Sequence, residues 1–364
     1  MEHEKYILRA IELAENGTGF VSPNPKVGAV IVRDNQIISE GWHTKFGAPH
    51  AEVESINKAG IDDFTDCTIY VNLEPCSHFG KTPPCADLII EKKFSRVVIG
   101  TSDPNPLVAG SGIAKLLDAN IEVITDVCRA ESEWCNRKFF KYMQSGNPYI
   151  MLKIAQTLDG FIALRTGESK WITCEESRRR THRLRSEYDA VLIGKATALS
   201  DNPQLTVRSV IGNNPLRVVC DTNLSLPSDL DIFKINDFTK TVVCCNNSSA
   251  KSKKADELKR LGVNILAVKT DESGKLKIKD IIKSLKEKYN LSSLMVEGGG
   301  AMYSSFVKSG LVDEIQIFMA PKIFGNGLNP FHLIDINKVS ESYEYVLKST
   351  ETSGSDIHAV LVRK

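Results

Sequence analysis

Four residues constrain this chain more than any others: His50, Glu52, Cys76 and Cys85, set in His50-Ala51-Glu52, in Pro75-Cys76 and, after eight intervening residues, at Cys85. One imidazole, two thiols and one carboxylate form the inventory of a zinc-dependent hydrolytic deaminase. Such a site has three protein ligands, a fourth position for water, and a Glu beside them to move protons. Zinc lowers the pKa of a bound water towards about 7, so a nucleophile is available at neutral pH. If the His-x-Glu motif opens a helix, His50 and Glu52 face one pocket, and Glu52 can take the water proton and pass it to the leaving amine. The common second half of this signature is P-C-x-x-C, and the longer spacing here departs from it. Two plainer readings compete: buried structural cysteines with a surface histidine, and a closed structural zinc site completed by His43 or His78. The order His, Glu, Pro-Cys, each beside a strand-like run, favours the deaminase.

A chain of 364 residues predicts two domains, and 42% hydrophobic residues suffice for proper cores. Lys+Arg 46 against Asp+Glu 45 leaves a net charge of +1, which carries no footprint for general nucleic-acid or membrane binding. Nine cysteines without paired spacing do not read as a disulfide framework. Reduced thiols and a cytoplasmic setting fit them better. The charged start, Met1-Glu-His-Glu-Lys-Tyr-Ile7, is not a signal peptide, and no apolar run is long enough to span a bilayer.

Along the first half, Tyr6 to Glu15 reads as an amphipathic helix with Ile7, Leu8, Ile11 and Leu13 as its apolar set, ended by Asn16-Gly17. Ser22-Pro-Asn-Pro-Lys26 is a rigid turn. Val27 to Val32 and Gln36 to Gly41 form a hairpin about Arg33-Asp-Asn35. A helix from His50 to about Ala59, a strand Cys67–Leu73, a helix Ala86–Lys92 and a strand Arg96–Gly100 follow, then a helix Ile113–Leu117, a strand Ile121–Ile124 and a helix Glu133–Met143. Gly110-Ser-Gly112-Ile-Ala-Lys115 starts like a dinucleotide fingerprint, but Lys115 stands where the third glycine belongs. A helix N-terminus is the better reading.

The stretches S-P-N-P-K-V-G-A-V-I-V, G-W-H-T-K-F-G-A-P-H-A-E, E-P-C-S-H-F-G-K-T-P-P-C and T-S-D-P-N-P resemble the deaminase half of the bifunctional riboflavin-biosynthesis deaminase/reductase family. The long spacing between the cysteines is that family's. The resemblance implies a cytidine-deaminase-like α/β/α domain over 1–146. It implies zinc on His50, Cys76 and Cys85, a proton shuttle at Glu52, and substrate contacts at Asn24, His43, Lys81 and Asn105. An Asn offers donor and acceptor together to a base edge, and a Lys can neutralise phosphate.

Gln144-Ser-Gly-Asn-Pro148 is a breaker cluster and marks the seam. Beyond it strands and helices alternate: strands Tyr149–Ala155, Ala190–Gly194, Leu216–Cys220, Thr241–Cys245, Ser293–Glu297 and Ile315–Met319, and helices Glu175–Glu187, Lys251–Leu261, Ile278–Tyr289 and Ala301–Ser309. This predicts an α/β domain with a largely parallel sheet. In Glu297-Gly-Gly-Gly-Ala301 the glycines let backbone approach an anion at a helix start, although a tight turn alone has the same composition.

L-K-I-A-Q-T-L-D-G, S-K-W-I-T, H-R-L-R, D-A-V-L-I-G-K-A-T, S-D-N-P-Q-L-T-V-R and V-E-G-G-G resemble the reductase half of the same family. That implies a dihydrofolate-reductase-like α/β domain over 147–364 that uses NADPH. Cofactor contacts carry over to Ala155, Trp171, Thr197, Asp201, Asn223 and to Gly299, Gly300, Ala301, Met302, Tyr303, Ser304 and Ser305. Substrate contacts carry over to Ser169, Arg185, Leu205, Arg208 and Glu297. Arg185 and Arg208 make sense as a phosphate clamp, because a guanidinium binds phosphate oxygens bidentately. Thr157, Cys174 and Lys195 depart from the family pattern near the cofactor site.

The family acts on 2,5-diamino-6-(5-phosphoribosylamino)pyrimidin-4(3H)-one, first exchanging the C2 amino group for oxo, then reducing the ribosyl chain with NADPH to give 5-amino-6-(5-phosphoribitylamino)uracil. The expected partner is therefore a small phosphorylated pyrimidine, with no nucleic acid and no membrane, and a dimer or tetramer is the family's common assembly. A nucleic-acid (tRNA) editing deaminase with an accessory domain predicts a basic groove and stacking aromatics, against the neutral charge and 7% aromatic content. A zinc-stabilised binding module predicts a fourth ligand and has no use for Glu52.

Overall fold

Alternating apolar runs and amphipathic stretches build two α/β units, Met1–Asn147 and Pro148–Lys364. The structure, a computed structural model, describes residues 2–78, 83–106, 108–234, 236 and 239–364. Lys81 lies outside the described residues.

The first unit runs α1 (Glu4–Ala14), β1 (Gly28–Arg33), β2 (Gln36–Trp42), α2 (Ala51–Ala59), β3 (Cys67–Val71), α3 (Cys85–Glu91), β4 (Arg96–Ile99), α4 (Ser111–Asp118), β5 (Glu122–Ile124), α5 (Arg129–Cys135) and α6 (Arg137–Ser145). Its sheet has the order β2-β1-β3-β4-β5. β1 is antiparallel to both neighbours, while β3, β4 and β5 are parallel. Asp34 and Asn35 both take positive φ, 49° and 61°, which suits a two-residue hairpin between right-twisted strands. Side chains alternate across the sheet. Ala29 and Ile31 pack with Ile69, Val97 and the helices α2, α3 and α4, while Val30 and Val32 pack with Tyr70, Val98 and α1. The sheet is thus covered on both faces. On α1 the buried stripe is Tyr6, Ile7, Ala10, Leu13 and Ala14, and Leu8 is 47% exposed, so the expected apolar set was wrong at Leu8. The single helix expected over Glu133–Met143 is two, broken at Asn136 (φ −107°), whose side chain is committed to the backbone of Lys26.

The second unit runs β6 (Tyr149–Thr157), α7 (Glu175–Glu187), β7 (Ala190–Gly194), α8 (Lys195–Asp201), β8 (Leu216–Cys220), β9 (Thr241–Cys245), α9 (Lys253–Arg260), β10 (Asn264–Ala267), α10 (Ile278–Tyr289), β11 (Ser293–Gly298), α11 (Gly300–Ser309), β12 (Glu314–Ala320), β13 (Tyr345–Ser353) and β14 (Asp356–Arg363). The sheet order is β10-β9-β8-β7-β11-β6-β12-β14-β13. The strands from β10 to β12 are parallel, and β14 and β13 add an antiparallel edge. Parallel strands covered on both faces read as continuous apolar runs. Ile150, Leu152, Leu192, Val218 and Val296 pack against α10 and α11. Met151, Val191, Ile193, Val219 and Phe318 pack against residues of α7, α8 and α9.

Candidate active site

In the first unit the metal-ligand types converge where strands hand over to helices. His50 is the extended residue that precedes α2, and Cys85 is the first residue of α3. Cys76 follows the C-terminal end of β3 by five residues. The His50 Nδ1 lies 3.6 Å from the Cys76 Sγ and 3.3 Å from the Cys85 Sγ. All three ligand atoms lie within 4.8 Å of one another, and among the described residues no fourth His, Cys, Asp or Glu joins them. His78 is exposed, and His43 is otherwise engaged. The N-terminus of α3 turns its first amides on Cys76: the Cys85 N–H donates to the Cys76 Sγ (3.3 Å) and the Ala86 N–H to the Cys76 carbonyl (3.1 Å).

These groups perturb one another. Hydrogen bonding from Cys85, and then from His50, holds the Cys76 thiol down at about 4. Cys76 in turn raises His50 to about 9, and Cys85 is pushed up by its hydrogen bond to Cys76 and by burial. Glu52, in the first turn of α2, is 3% exposed, and burial pushes its carboxyl above the ordinary range. Its Oε2 is buried and has no hydrogen-bond partner. A buried, orphaned carboxylate oxygen beside two thiols and an imidazole fits a zinc-held water, which would satisfy it. It does not fit a closed structural site.

Asn24 and His43 meet. The Asn24 Nδ2 lies 3.2 Å from the His43 Nε2, and the His43 Nδ1 lies 2.9 Å from the Pro49 carbonyl. Burial lowers the His43 pKa, which suits a neutral ring with its proton on Nδ1 and Nε2 accepting from Asn24. The His43 and His50 rings lie edge to face at 5.5 Å. Two asparagines that the sequence reading passed over shape this wall. Asn136 clamps Lys26 at both its N–H and its carbonyl (2.8 Å each), and Asn72 accepts from the Gly28 N–H (2.9 Å) and donates to the Lys26 carbonyl (3.1 Å). Asn105 is half-buried in the segment between β4 and α4.

In the second unit one carried-over residue, Arg185, closes on another, Glu297. Glu297 stands at a register shift of β11, where Val296 and Gly298 oppose the consecutive residues Leu192 and Ile193 of β7. Such a bulge re-aims a side chain. Both Glu297 oxygens meet Arg185, Nε at 2.5 Å and Nη2 at 2.7 Å, and the third Arg185 nitrogen donates to the Thr206 carbonyl at 3.2 Å. Arg185 is therefore not half of an open phosphate clamp: its guanidinium is spent on a buried carboxylate. The Arg208 guanidinium bonds to Gln204 (2.9 Å) and Thr206 (3.0 Å), and its backbone N–H donates to the His182 Nδ1 (3.4 Å). Leu205, between those two, is buried with φ 53°.

Lys153 of β6 was passed over in the sequence because it sits inside an apolar strand. Its side chain is half-buried, and its ammonium lies 5.6 Å from the Phe318 ring centre. Burial, aided by Arg185 and opposed by Glu297, lowers its pKa to about 8. Ala155 lies two residues further along the strand.

The glycine turn is shaped by Thr197 of α8. A Cβ on Gly298 would come within 2.8 Å of the Thr197 side chain, and one on Gly299 within 3.1 Å, where φ is +81° as well. Ser169 donates to Asp201 at 3.3 Å. Trp171 is 65% exposed under the Arg178 guanidinium, 4.6 Å from its ring centre. Among residues 299–305, Tyr303 and Ser304 turn inward. The Tyr303 hydroxyl donates to the Lys153 carbonyl (2.6 Å), and Ser304 accepts from the Leu333 N–H (3.3 Å). Ala301, Met302 and Ser305 are exposed or half-buried on α11. Asn223 is exposed past β8 and bonded to Asn246 (3.0 Å). Of the three departures, Thr157 donates to Asp159 (2.5 Å), Cys174 to the Ser353 carbonyl (3.0 Å), and Lys195 is exposed. All nine cysteines are free thiols.

Comparison with known proteins places these sites in context. Residues 1–101 match the family described as cytidine and deoxycytidylate deaminase zinc-binding region, and residues 148–359 match the RibD C-terminal domain. A riboflavin biosynthesis protein RibD from Aquifex aeolicus is 43% identical over 355 residues, covering 97% of this chain and 96% of its own length. One from Escherichia coli is 35% identical over 367 residues, 100% of both chains. Among solved structures, a diaminohydroxyphosphoribosylaminopyrimidine deaminase/5-amino-6-(5-phosphoribosylamino)uracil reductase from Thermotoga maritima has a TM-score of 0.87 at 38% identity, covering 100% of this chain and 99% of that one. Acinetobacter baumannii RibD also has a TM-score of 0.87, at 34% identity and the same coverage.

Proposed function

The chain belongs to the RibD family of bifunctional riboflavin-biosynthesis proteins, and from that premise we propose that its first unit deaminates 2,5-diamino-6-(5-phosphoribosylamino)pyrimidin-4(3H)-one at C2 and its second reduces the ribosyl chain. It is a deaminase and reductase, not a nucleic-acid editing deaminase. The observation that carries the residue assignment is the convergence of His50, Cys76 and Cys85 beside the buried carboxylate of Glu52, whose Oε2 has no partner.

His50, Cys76 and Cys85 would hold zinc, which when bound activates a water for attack at C2. Glu52 removes a proton from that water and delivers it to the departing amine, so that C–NH2 and water become C=O and ammonia. A carboxyl whose burial raises its pKa exchanges protons near neutral pH better than an ordinary one. Asn24 and His43 would hold the pyrimidine edge, with Lys81 and Asn105 completing the contacts.

In the second unit Gly299 and Gly300, with Thr197, Asp201, Ala155 and Trp171, would hold NADPH, which when bound would supply a hydride for C1′. Opening the C1′–O4′ bond places negative charge on O4′, which needs a proton. Lys153 is the group we assign to deliver it. An amine near 8 still carries its proton at neutral pH and gives it up more readily than one at 10.5. Glu297, braced by Arg185, orients the ribosyl hydroxyls, and Arg208 takes the phosphate with Ser169 and Leu205 lining the pocket. The enzyme is taken to work in the cytoplasm as a dimer or tetramer; among the described residues no helix is long and apolar enough to cross a membrane.

The test is mass spectrometry of products from the diaminopyrimidinone ribotide. Amino-to-oxo exchange is expected without NADPH, and gain of two hydrogens only when NADPH is added. No exchange by the zinc-loaded protein would overturn the assignment of the first unit.

A further inference from the structure

Gly110-Ser111-Gly112 has the composition of an anion-binding turn at a helix start, and it already holds an anion: the carboxylate of Glu74. The Glu74 Oε1 accepts the N–H groups of Gly112 (2.9 Å) and Ile113 (3.2 Å), and Oε2 accepts those of Gly110 (3.0 Å) and Asp103 (3.1 Å). Glu74 is 4% exposed. The glycines follow from that occupant. Gly110 has φ +77°, and a Cβ on Gly112 would lie 2.2 Å from the Pro75 carbonyl and 3.2 Å from the Glu74 Oε1. Three of these N–H donors belong to the start of α4 and the fourth, that of Asp103, to the segment before it, so the one side chain ties the two together.

This carboxylate joins two parts of the deaminase site. Cys76 lies two residues beyond Glu74. On the other side, Asp103, held through its N–H, in turn accepts the Asn105 N–H on its side chain (2.8 Å), and the Asn105 carbonyl accepts from Val108 (2.8 Å) and Ala109 (2.9 Å).

We propose that Glu74 is a positioning residue of the deaminase: its carboxylate sets the segment carrying Asn105 at the separation from Cys76 that the pyrimidine requires. The inference rests on the deaminase reading of the first unit and adds a residue that touches neither metal nor substrate.

The test is Glu74→Gln in the zinc-loaded full chain, with deaminase KM, kcat, zinc content and reductase activity read together. An amide keeps the shape but turns an NH2 toward two N–H donors, leaving them unsatisfied. We expect the deaminase KM to rise by about tenfold or more, with zinc content and reductase rate as in the wild type. A merely structural role would shrink the active fraction, lowering apparent kcat and leaving KM alone. Glu74→Asp, which keeps four acceptor lone pairs, should fall between wild type and Gln. Gly112→Ala, whose Cβ would force the start of α4 away from the Pro75 carbonyl and the Glu74 side chain while keeping the carboxylate, should raise KM in the same way and answers the question if Glu74→Gln does not fold. A KM within twofold of wild type in Glu74→Gln or Gly112→Ala, where the variant folds and holds zinc, overturns the proposal. Failure of the deaminase reading itself would look different, because the wild type would then release no ammonia.

Discussion

Lys153→Met should stabilise the protein and disable one of its two activities. The methionine keeps the length and the apolar stem and removes the charge. In the folded protein Lys153 has its pKa lowered from 10.5 to about 8, by burial first and Arg185 next, with Glu297 opposing. At about 1.4 kcal/mol per tenfold change in proton affinity, that difference amounts to at most about 3.5 kcal/mol of penalty for the charged form. The sign follows from linkage. Below pH 8 the lysine is protonated in both states, and the folded state bears the full penalty. Between about 8 and 10.5 the folded state sheds the proton while the unfolded state keeps it, so the penalty disappears as pH rises. The variant's advantage is therefore complete below pH 8 and gone above 10.5. For a unit of this size about 1 kcal/mol moves Tm by roughly 2–4 °C, so thermal unfolding at pH 7 should rise by several degrees, and the gain should shrink by pH 10. Reduction, followed as NADPH absorbance, should fall by roughly 10²–10⁴, with deamination unchanged. In the wild type the reductase rate should fall as pH climbs past about 8, because the donor must carry its proton. A variant that melts lower at pH 7, or that reduces at more than a tenth of the wild-type rate, would refute the reasoning.

Glu52→Gln should retain zinc, measured by elemental analysis, and lose ammonia release by roughly 10²–10⁴; retained release would mean that another group carries the proton. Arg208→Ala should raise the KM of the reductase step about tenfold or more, as loss of a charge-assisted phosphate contact does, and equal loss of both activities would point to misfolding instead. Zinc affinity should increase with pH throughout the range from 6 to 9, because His50 keeps its proton up to about 9 and Cys85 is raised further, and the metal must displace both protons. Competition with a coloured chelator between pH 6 and 9 measures this, and a flat response would contradict it.

The strand-and-helix order of both units was legible because most core strands here are apolar on both faces, as parallel strands under two layers of helices must be. The reading stopped at Met319 for a physical reason. β13 is almost wholly exposed and presents no alternation to find. β14 alternates the wrong way: Asp356 and His358 point inward and Ile357 is 48% exposed. The inward polar residues are satisfied, Asp356 by the Cys174 N–H (2.8 Å) and the Ser177 hydroxyl (2.6 Å) at the start of α7, and His358 by Gln316 (2.9 Å). A hydropathy pattern cannot see such pairings, because the partners are more than 40 residues away.

The same limit explains which site residues were legible. His50, Glu52, Cys76 and Cys85 announce themselves because metal chemistry demands rare residue types next to sharp changes of direction. Glu74, Asn72 and Asn136 act on backbone N–H and carbonyl groups, which every residue carries, so nothing in the sequence marks their targets. Lys153 is hidden by the opposite effect, a single charge inside a strand whose neighbours are all core. Its position nevertheless carries a cost that a core strand would not otherwise bear, since burial disfavours the ammonium and only Glu297 opposes that. Nor does the bidentate pairing of Glu297 with Arg185 remove that cost, because Arg185 itself pushes Lys153 down. If stability alone had shaped β6, a leucine or methionine at position 153 would serve better. The lysine is therefore where packing alone would choose otherwise, and that mismatch is what supports assigning it the proton.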